Sequence, residues 1–315
     1  MPLSPQAQSL LDMAYRVGAP HFHEFSPDQA RRSFQKLQFA FRPDPPPVAS
    51  VTEVPMARPD GSALLGRLYR PLSAQPEAVL PLLIFCHGGG WCVGDVESYD
   101  SLCRELANRS ACAVLSVDYR LAPEHPFPAA VLDARLAFDW AVEHADLIAI
   151  DPRRIALGGD SAGGNLSLVT ALALRDAGGL VPRFLLLVYP STEIVSRRAS
   201  RAAYADGFFL DRETLVWFFE RYLPHGQSED WRASPMRAAS LAGLPPMLLV
   251  SAEYDPLVDD CEAFVERVRR EGGVVDHHRI AGMVHGFLTL GKLFPEANAV
   301  VALAAGALQQ ALAQS

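Results

Sequence analysis

Residues 155–165 have the sequence IALGGDSAGGN, and the interpretation of the whole chain depends on them. The apolar run 155–157 predicts a buried strand, and residues 162–175, with apolar side chains at helical spacing, predict a helix. Between them, residues 159–163 match G-x-S-x-G, the sharp strand-to-helix turn that presents a serine hydroxyl above a sheet. Glycines beside a serine in strained backbone geometry let strand and helix approach closely. The stretch therefore predicts a nucleophilic residue, Ser161.

Composition limits the class of protein. The 315 residues suit one large α/β domain or two small ones, and 50% hydrophobic with 20% charged residues is usual for a globular chain. A net charge of -8 without a basic stripe argues against a nucleic-acid partner. We find neither a run long enough to span a membrane nor an N-terminal signal sequence. Five cysteines without a C-x-x-C motif favour free thiols and a cytoplasmic location.

The N-terminal part of the chain is predicted to be helical and separate from the main domain. Residues 4–41 have apolar side chains at helical spacing, with a second helix starting at the Ser26-Pro27-Asp28 cap. Residues 42–47, with the sequence RPDPPP, predict a stiff linker. We therefore place a boundary near residue 45.

After the linker, strands alternate with helices. Runs 50–56 and 63–69, joined by Pro59-Asp60-Gly61, predict an antiparallel hairpin at one edge of a sheet. Further strands are predicted at 80–86, 113–117, 155–157, 184–188, 247–252 and 274–280. Helices are predicted at 99–110, 129–144, 162–175, 259–271 and 298–313. This alternation indicates a parallel sheet covered on both faces. It is interrupted at residues 192–232, which predict an insertion with one helix at 211–222.

A glycine-rich loop follows the strand 80–86. It has the sequence His87-Gly88-Gly89-Gly90-Trp91. Consecutive glycines leave backbone N–H groups open, and such donors, together with that of Ala162, suit the oxygen of a tetrahedral intermediate. The alternative is a flexible turn without a chemical role.

An acid and a base follow the serine in chain order. Asp255 lies in the loop after the strand 247–252, where a carboxylate could orient an imidazole, although Glu253, Asp259 and Asp260 are alternatives. His285 follows the strand 274–280 and is the candidate general base. A loop carboxylate or histidine is often only solvated. The order Ser, Asp, His is nevertheless that of the α/β-hydrolase topology.

Other histidines and glycines do not predict a metal or cofactor site. The stretch His21-Phe22-His23-Glu24 resembles a metal-binding fragment, but no third ligand cluster supports it, so we interpret it as surface. His277 and His278 alternate across a strand. The glycines 88–90 lack the G-K-[ST] of a phosphate loop.

Taken together, these motifs resemble those of the hormone-sensitive-lipase-like esterases (bacterial family IV, GDSAGG subgroup). The resemblance is carried by residues 87–91, 118–129 (DYRLAPEHPFPA), 158–165, 255–257 and 285–287. It implies an α/β-hydrolase with a mostly parallel eight-stranded sheet, helices on both faces and a helical cap. The catalytic domain would comprise 46–190 and 233–315, with residues 1–45 and the insertion 191–232 forming the cap.

The resemblance also implies roles for individual residues. Ser161 would be the nucleophile, Asp255 the acid and His285 the base. The oxyanion-hole donors would be the backbone groups of Gly88, Gly89 and Ala162. The implied reaction is hydrolysis of short- to medium-chain carboxylic esters through an acyl-enzyme, without metal or cofactor and with a small-molecule ester as the partner.

Further interpretations concern the pocket, the scaffold and the class of function. Aromatic residues of the oxyanion loop and the insertion are predicted to surround the substrate, or alternatively to pack the cap: Trp91, Phe208, Phe209, Trp217 and Phe218. Arg120 and Glu124 are predicted to form an ion pair beneath the site. The same machinery could serve an amidase, a lactonase or an acyltransferase, or the scaffold could bind a ligand without catalysis. The presence of the candidate base His285 argues against ligand binding without catalysis. The sequence is also compatible with a homodimer.

Overall fold

The structure is a computed structural model that describes residues 2–313. Its centre is an eight-stranded sheet in the order β1-β2-β4-β3-β5-β6-β7-β8. The strands are Ser50–Ala57 (β1), Ala63–Arg70 (β2), Leu80–Cys86 (β3), Ala113–Asp118 (β4), Ile150–Asp160 (β5), Phe184–Val188 (β6), Met247–Tyr254 (β7) and Val275–Val284 (β8). Neighbouring strands from β4 to β8 are parallel, whereas β2 is antiparallel to both β1 and β4. The predicted mostly parallel eight-stranded sheet is confirmed.

Helices cover both faces of the sheet. They are Pro5–Arg16 (α1), Pro27–Phe41 (α2), Asp100–Ser110 (α3), Ala129–Glu143 (α4), Ala162–Ala177 (α5), Ser200–Ala203 (α6), Arg212–Tyr222 (α7), Val258–Arg270 (α8) and Pro295–Ala313 (α9). Alternate side chains of a strand point to opposite faces. Accordingly, Leu82 and Ile84 of β3 share an apolar core with α4, α5 and α8, while Leu83 and Phe85 share one with α3 and α9.

The hairpin β1–β2 forms where the turn signal predicts it. Ala57 pairs with Ala63 at its end, and Gly61 has a φ of +83°, which glycine adopts readily. The Asp60 side chain accepts a hydrogen bond of 2.9 Å from the Ser62 N–H. The antiparallel pair forms one edge of the sheet.

Two helical segments lie outside the alternating strands and helices. The first, α1 and α2, precedes β1, and the second, α6 and α7, lies between β6 and β7. Helix α2 begins with a capping box, in which Ser26 and Gln29 exchange side-chain-to-backbone hydrogen bonds. Within residues 2–313, every helix is too short or too polar to span a bilayer.

The loop that follows β4 is stabilised by ion pairs other than the predicted one. Arg120 does not pair with Glu124. It binds Asp133 of α4 (Nη2 to Oδ1, 2.9 Å), and Arg58 binds the same carboxylate (Nε to Oδ1, 2.9 Å). Glu124 pairs instead with Arg31 of α2 (2.5 Å).

The reason for the difference is that each partner of the predicted pair finds an opposite charge on a helix, Arg120 on α4 and Glu124 on α2. Asp133 is buried, and burial alone would raise the pKa of its carboxyl. Hydrogen bonds from Arg58 and Arg120 outweigh that effect and hold the pKa below its ordinary value. The carboxylate that stabilises the loop is therefore Asp133.

Candidate active site

Ser161 lies in a strained turn between β5 and α5. Its φ of 53° and ψ of -116° are unfavourable for a residue with a side chain, which typically costs about 1–3 kcal/mol. The turn fits only because its neighbours lack side chains. A Cβ atom at Gly159 or Gly163 would lie 2.3 or 1.8 Å from the Cys86 carbonyl oxygen. The glycines of the motif thus allow close contact between the turn and β3.

The structure brings Ser161, His285 and Asp255 into one hydrogen-bonded chain. His285 follows β8, and its Nε2 lies 2.9 Å from the Ser161 Oγ. Its Nδ1 lies 2.6 Å from Oδ2 of Asp255, in the loop after β7. The other oxygen of Asp255 accepts a hydrogen bond from the Leu257 N–H, which fixes the carboxylate. Asp255 and His285 are both buried. This is the geometry by which a serine hydroxyl is activated.

The three alternative carboxylates have other partners. Glu253 accepts a hydrogen bond from the Gly282 N–H (2.8 Å), and Asp259 accepts one from the Ser200 N–H (2.7 Å). Asp260 is buried between Arg198 and Arg201 (2.9 and 2.8 Å). Of the four candidates, Asp255 alone contacts the His285 ring.

The glycine loop after β3 differs from the prediction at one position. The Gly88 N–H donates to Oδ1 of Asp160 (2.8 Å) and approaches the Tyr99 hydroxyl (3.1 Å), so it is not available to an oxyanion. Gly89 and Gly90, with φ values of +115° and +56°, line the cleft together with Ser161. Their N–H groups donate to no group within residues 2–313. The structure therefore contradicts the prediction that Gly88 is a donor, and the unbonded N–H groups of this loop belong to Gly89 and Gly90.

The third predicted donor, Ala162, is the first residue of α5. The first N–H groups of a helix have no intrahelical acceptor, and the helix dipole makes this end electropositive. Both features suit an oxyanion formed next to Ser161.

A cleft of about 800 Å³, partly open to solvent, leads to Ser161 and His285. Of the five predicted pocket aromatics, Trp91, Phe209 and Phe218 line it, whereas Phe208 and Trp217 do not. Phe208 stacks on Tyr254 (centroids 5.5 Å apart), and Trp217 is buried under the Arg221 guanidinium (3.8 Å). For these two residues the cap-packing alternative describes the structure.

Comparison with known proteins gives the family. Residues 83–289 match the family model described as alpha/beta hydrolase fold. The chain belongs to the α/β-hydrolase family. It is 39% identical over 298 residues to the carboxylic ester hydrolase LipN of Mycobacterium tuberculosis, covering 92% of this chain and 78% of that protein. It is also 35% identical to the ethyl acetate hydrolase of Pseudomonas putida, covering 92% of each.

Solved structures of similar fold agree with this family. A thermostable esterase from Pseudomonas putida superposes with a TM-score of 0.95 at 32% identity, covering 100% of this chain and 99% of that one. An α/β-hydrolase enzyme from the metagenome of Lake Arreo gives a TM-score of 0.95 at 38% identity, covering 99% of each chain. The predicted fold and the resemblance to hormone-sensitive-lipase-like carboxylesterases are confirmed. Membership of the GDSAGG subgroup remains a prediction.

The sequence motifs of this α/β-hydrolase assigned no role to Asp160, yet it joins the serine turn to the glycine loop. Its carboxylate binds the Gly88 N–H and the Tyr99 hydroxyl (3.0 Å). Burial raises the pKa of Asp160 to about 6, against the opposing effect of these hydrogen bonds. The position of Asp160 could have predicted this role. A carboxyl group at the end of a buried strand, directly before the serine, needs a hydrogen-bond partner.

The N-terminal segment supplies a wall of the hydrolase cleft that the sequence did not locate. Phe22, Phe34, Leu37 and Gln38 all line it. The apolar spacing of α2 predicts that Phe34 and Leu37 are buried on one helix face. It cannot distinguish burial against a core from burial against a cavity.

A third ligand group does lie beside His21 and His23, contrary to our interpretation of that stretch as plain surface. The His21 Nδ1 lies 2.5 Å from Oδ2 of Asp211, and the His23 Nε2 lies 3.0 Å from a carboxylate oxygen of Glu213. Because Asp211 is 190 positions from His21 along the chain, no local motif could include both.

Proposed function

We propose that the protein is a serine carboxylesterase that hydrolyses short- to medium-chain esters through an acyl-enzyme intermediate. The observation that carries the proposal is the hydrogen-bonded chain Ser161–His285–Asp255 at the end of a mostly apolar cleft. The names of the relatives, carboxylic ester hydrolase and ethyl acetate hydrolase, support the same substrate class.

In the first half of the reaction, His285 Nε2 takes the proton of Ser161 as Oγ attacks the ester carbonyl carbon. The resulting oxyanion accepts hydrogen bonds from the backbone N–H groups of Gly89, Gly90 and Ala162. Collapse of this tetrahedral intermediate breaks the bond to the alcohol oxygen, which leaves with the proton held by His285. Asp255 keeps the Nδ1–H oriented and stabilises the imidazolium.

In the second half, a water molecule gives a proton to His285 and attacks the acyl-enzyme. The carboxylic acid leaves, and the proton returns to Ser161. Every proton and electron pair in these steps is carried by Ser161, His285, substrate and water, so we propose that the reaction uses neither metal nor cofactor.

The experiment measures hydrolysis of p-nitrophenyl esters of graded chain length by purified wild-type protein and by single variants. We expect Ser161→Ala to lower kcat by about 10⁴-fold or more and Asp255→Asn to lower it by about 10³- to 10⁴-fold. Asp259→Asn is the matched control and should retain activity, because Asp259 contacts the Ser200 N–H and not His285.

Wild-type turnover no faster than that of Ser161→Ala would contradict the esterase function and favour the ligand-binding alternative. Equal losses in Asp255→Asn and Asp259→Asn would contradict the assignment of the acid. Turnover on amides or lactones only would show that the substrates are not simple carboxylic esters. Maximal activity on long, emulsified acyl chains would identify a lipase.

We also propose a cytoplasmic location and a homodimer. The cysteines at 86, 92, 103, 112 and 261 are free and buried, as suits a reducing compartment. β8 forms one edge of the sheet, where a second copy could pair. Light scattering on the purified protein measures the mass, and a monomer would contradict the dimer.

A further inference from the structure

A compact group of histidines and carboxylates lies outside the catalytic triad and joins two distant parts of the chain. His21 and His23 flank the residue Phe22 at the start of the short 3₁₀ helix Phe22–Glu24, with their rings stacked 5.3 Å apart. Asp211 is the N-cap of α7, and Glu213 lies in its first turn. One ligand atom each from His21, His23 and Asp211 lie within 4.8 Å of one another.

We propose that His21, His23 and Asp211 bind a divalent transition metal ion, with Zn²⁺ the best fit, and that the ion joins the two segments. Two imidazoles and one carboxylate with room for a water molecule form a common tetrahedral zinc donor set. Because Asp211 is 8% exposed and His23 24% exposed, the ligands converge at a partly covered position.

Hydrogen bonds already orient two of the ligands toward a common point. The His23 Nε2 faces the Glu213 carboxylate at 3.0 Å, so Nδ1 is the ring nitrogen left to bind a metal, and it lies 3.7 Å from Oδ1 of Asp211 and 3.5 Å from the Thr214 hydroxyl. Metal-binding histidines are commonly fixed in this way by a carboxylate on the other ring nitrogen. Oδ1 of Asp211 accepts the Thr214 N–H (2.6 Å), while Oδ2 faces the Nδ1 of His21.

The distances require only side-chain adjustment. Zinc bonds of about 2.0–2.1 Å in a tetrahedron place ligand atoms about 3.3 Å apart. The contact of 2.5 Å between the His21 Nδ1 and Oδ2 of Asp211 would lengthen, and the His23 Nδ1, now 3.7 Å from Oδ1 of the same carboxylate, would move toward the ion. The His21 side chain is 57% exposed, so solvent leaves it room to turn once the ion replaces its direct contact with Asp211.

The ion would stabilise the wall of the cleft, because its ligands are neighbours of residues that line the cleft. Phe22, between the two histidines, lines the cleft, as do Thr214 and Phe218 of α7. The rings of Phe22 and Phe218 are 6.1 Å apart, and Phe218 packs at Gly90 of the glycine loop. A metal held by both segments would therefore keep this wall closed. It would act on the shape of the cleft and not on the reacting atoms.

The test is Zn²⁺ binding to metal-free full-length protein, measured by isothermal titration calorimetry and by the shift in thermal unfolding temperature. We expect one Zn²⁺ per chain and a higher Tm in the presence of the ion. The double variant His21→Gln/His23→Gln should bind about 100-fold more weakly and lose the Tm shift. Asp211→Asn, which preserves the helix cap, should bind about tenfold more weakly.

His225→Gln is the matched control, because His225 is an exposed histidine in the same insertion, after α7. It should bind Zn²⁺ as the wild type does. Co²⁺ should give the visible absorption of a tetrahedral site in wild-type protein and not in the double variant. If the wild type binds no Zn²⁺, the cluster is an ion pair only. If the double variant binds as tightly as the wild type, the metal lies elsewhere, for example at His285. Either result would overturn the proposal while leaving the esterase function to its own assay.

Discussion

The buried carboxyl group of Asp160 holds the glycine loop in place. It lies directly before Ser161 and accepts the Gly88 N–H, so it fixes the loop whose next two residues line the cleft. Burial raises its pKa from 3.8 to about 6. A carboxyl group whose pKa is higher in the folded than in the unfolded protein binds more protons when folded. Its contribution to stability is therefore lost as the pH rises through that interval.

We expect this effect to appear in the variant Asp160→Asn, which keeps the shape of the side chain but does not ionise. Between about pH 4 and about pH 7, the unfolding free energy of the wild type should fall relative to that of the variant by about 3 kcal/mol, at about 1.4 kcal/mol per pH unit. Urea unfolding of both proteins at a series of pH values measures this difference in unfolding free energy. Since the group is buried, the effect should persist in high salt. A difference that does not change with pH would show that the pKa of Asp160 is not raised.

At this scale, local motifs and chain order predicted three residues that the structure brings into one hydrogen-bonded chain. Ser161, Asp255 and His285 each follow a predicted strand, and parallel strands bring such loops to one edge. The sequence did not show that the Gly88 N–H is already hydrogen-bonded, because its partner, Asp160, is 72 residues away. Nothing in the run of three glycines indicates which N–H is taken by another group.

Among the elements, α4 has a role that extends beyond packing on the sheet. Its Asp133 side chain is 1% exposed and binds Arg58, which follows β1, as well as the side chain and backbone N–H of Arg120. One buried carboxylate thus ties together the hairpin, the loop after β4 and the helix. The exposed pair Arg31–Glu124 lies on the same loop and offers a direct comparison.

We expect Asp133→Ala to lower the free energy of unfolding by about 3 kcal/mol, because it leaves two mostly covered arginines, Arg58 and Arg120 (9% and 24% exposed), without their partner charge. Glu124→Ala should lower it by about 1 kcal/mol or less, because the Glu124 side chain is 51% exposed and its charge is screened by water. Urea denaturation of both variants measures the difference. Equal losses would mean that the exposed pair with α2 stabilises the loop as much as the buried carboxylate does, and the prediction would be wrong.

The sequence located the elements better than it located their ends. Only residues 155–157 of β5 are continuously apolar, whereas the strand extends from Ile150 to Asp160 and includes polar residues at its start. Hydrogen bonds to β3 and β6 define that length, and a hydrophobic pattern does not record them. The spacing in α5 predicts one buried face, but the helix is buried around most of its surface, because the sheet, α4 and the turn Pro235–Arg237 all pack on it.

Over the whole molecule, two segments far apart in the chain form one wall of the cleft. Phe22 and Phe34 come from the N-terminal segment, and Leu215 and Phe218 come from α7. Each segment alone has the pattern of an ordinary amphipathic helix, so the sequence could predict a cap only through its family resemblance. The turn at Ser161 and the chain Ser161–His285–Asp255 would determine the reaction. We therefore expect the choice of ester to depend on these cap residues.

This expectation can be tested within one helix. Phe34 and Phe39 both lie on α2, but Phe34 lines the cleft, whereas Phe39 is 44% exposed with Arg42 over its ring. Phe34→Ala should enlarge the cleft and raise the kcat/KM of longer p-nitrophenyl esters relative to shorter ones by about tenfold, since each additional methylene in a pocket is worth about 1–3 kcal/mol. Phe39→Ala should leave that ratio unchanged. If the two variants show the same chain-length profile, the N-terminal segment covers the cleft without selecting the substrate, and selection must come from α7 and the glycine loop alone.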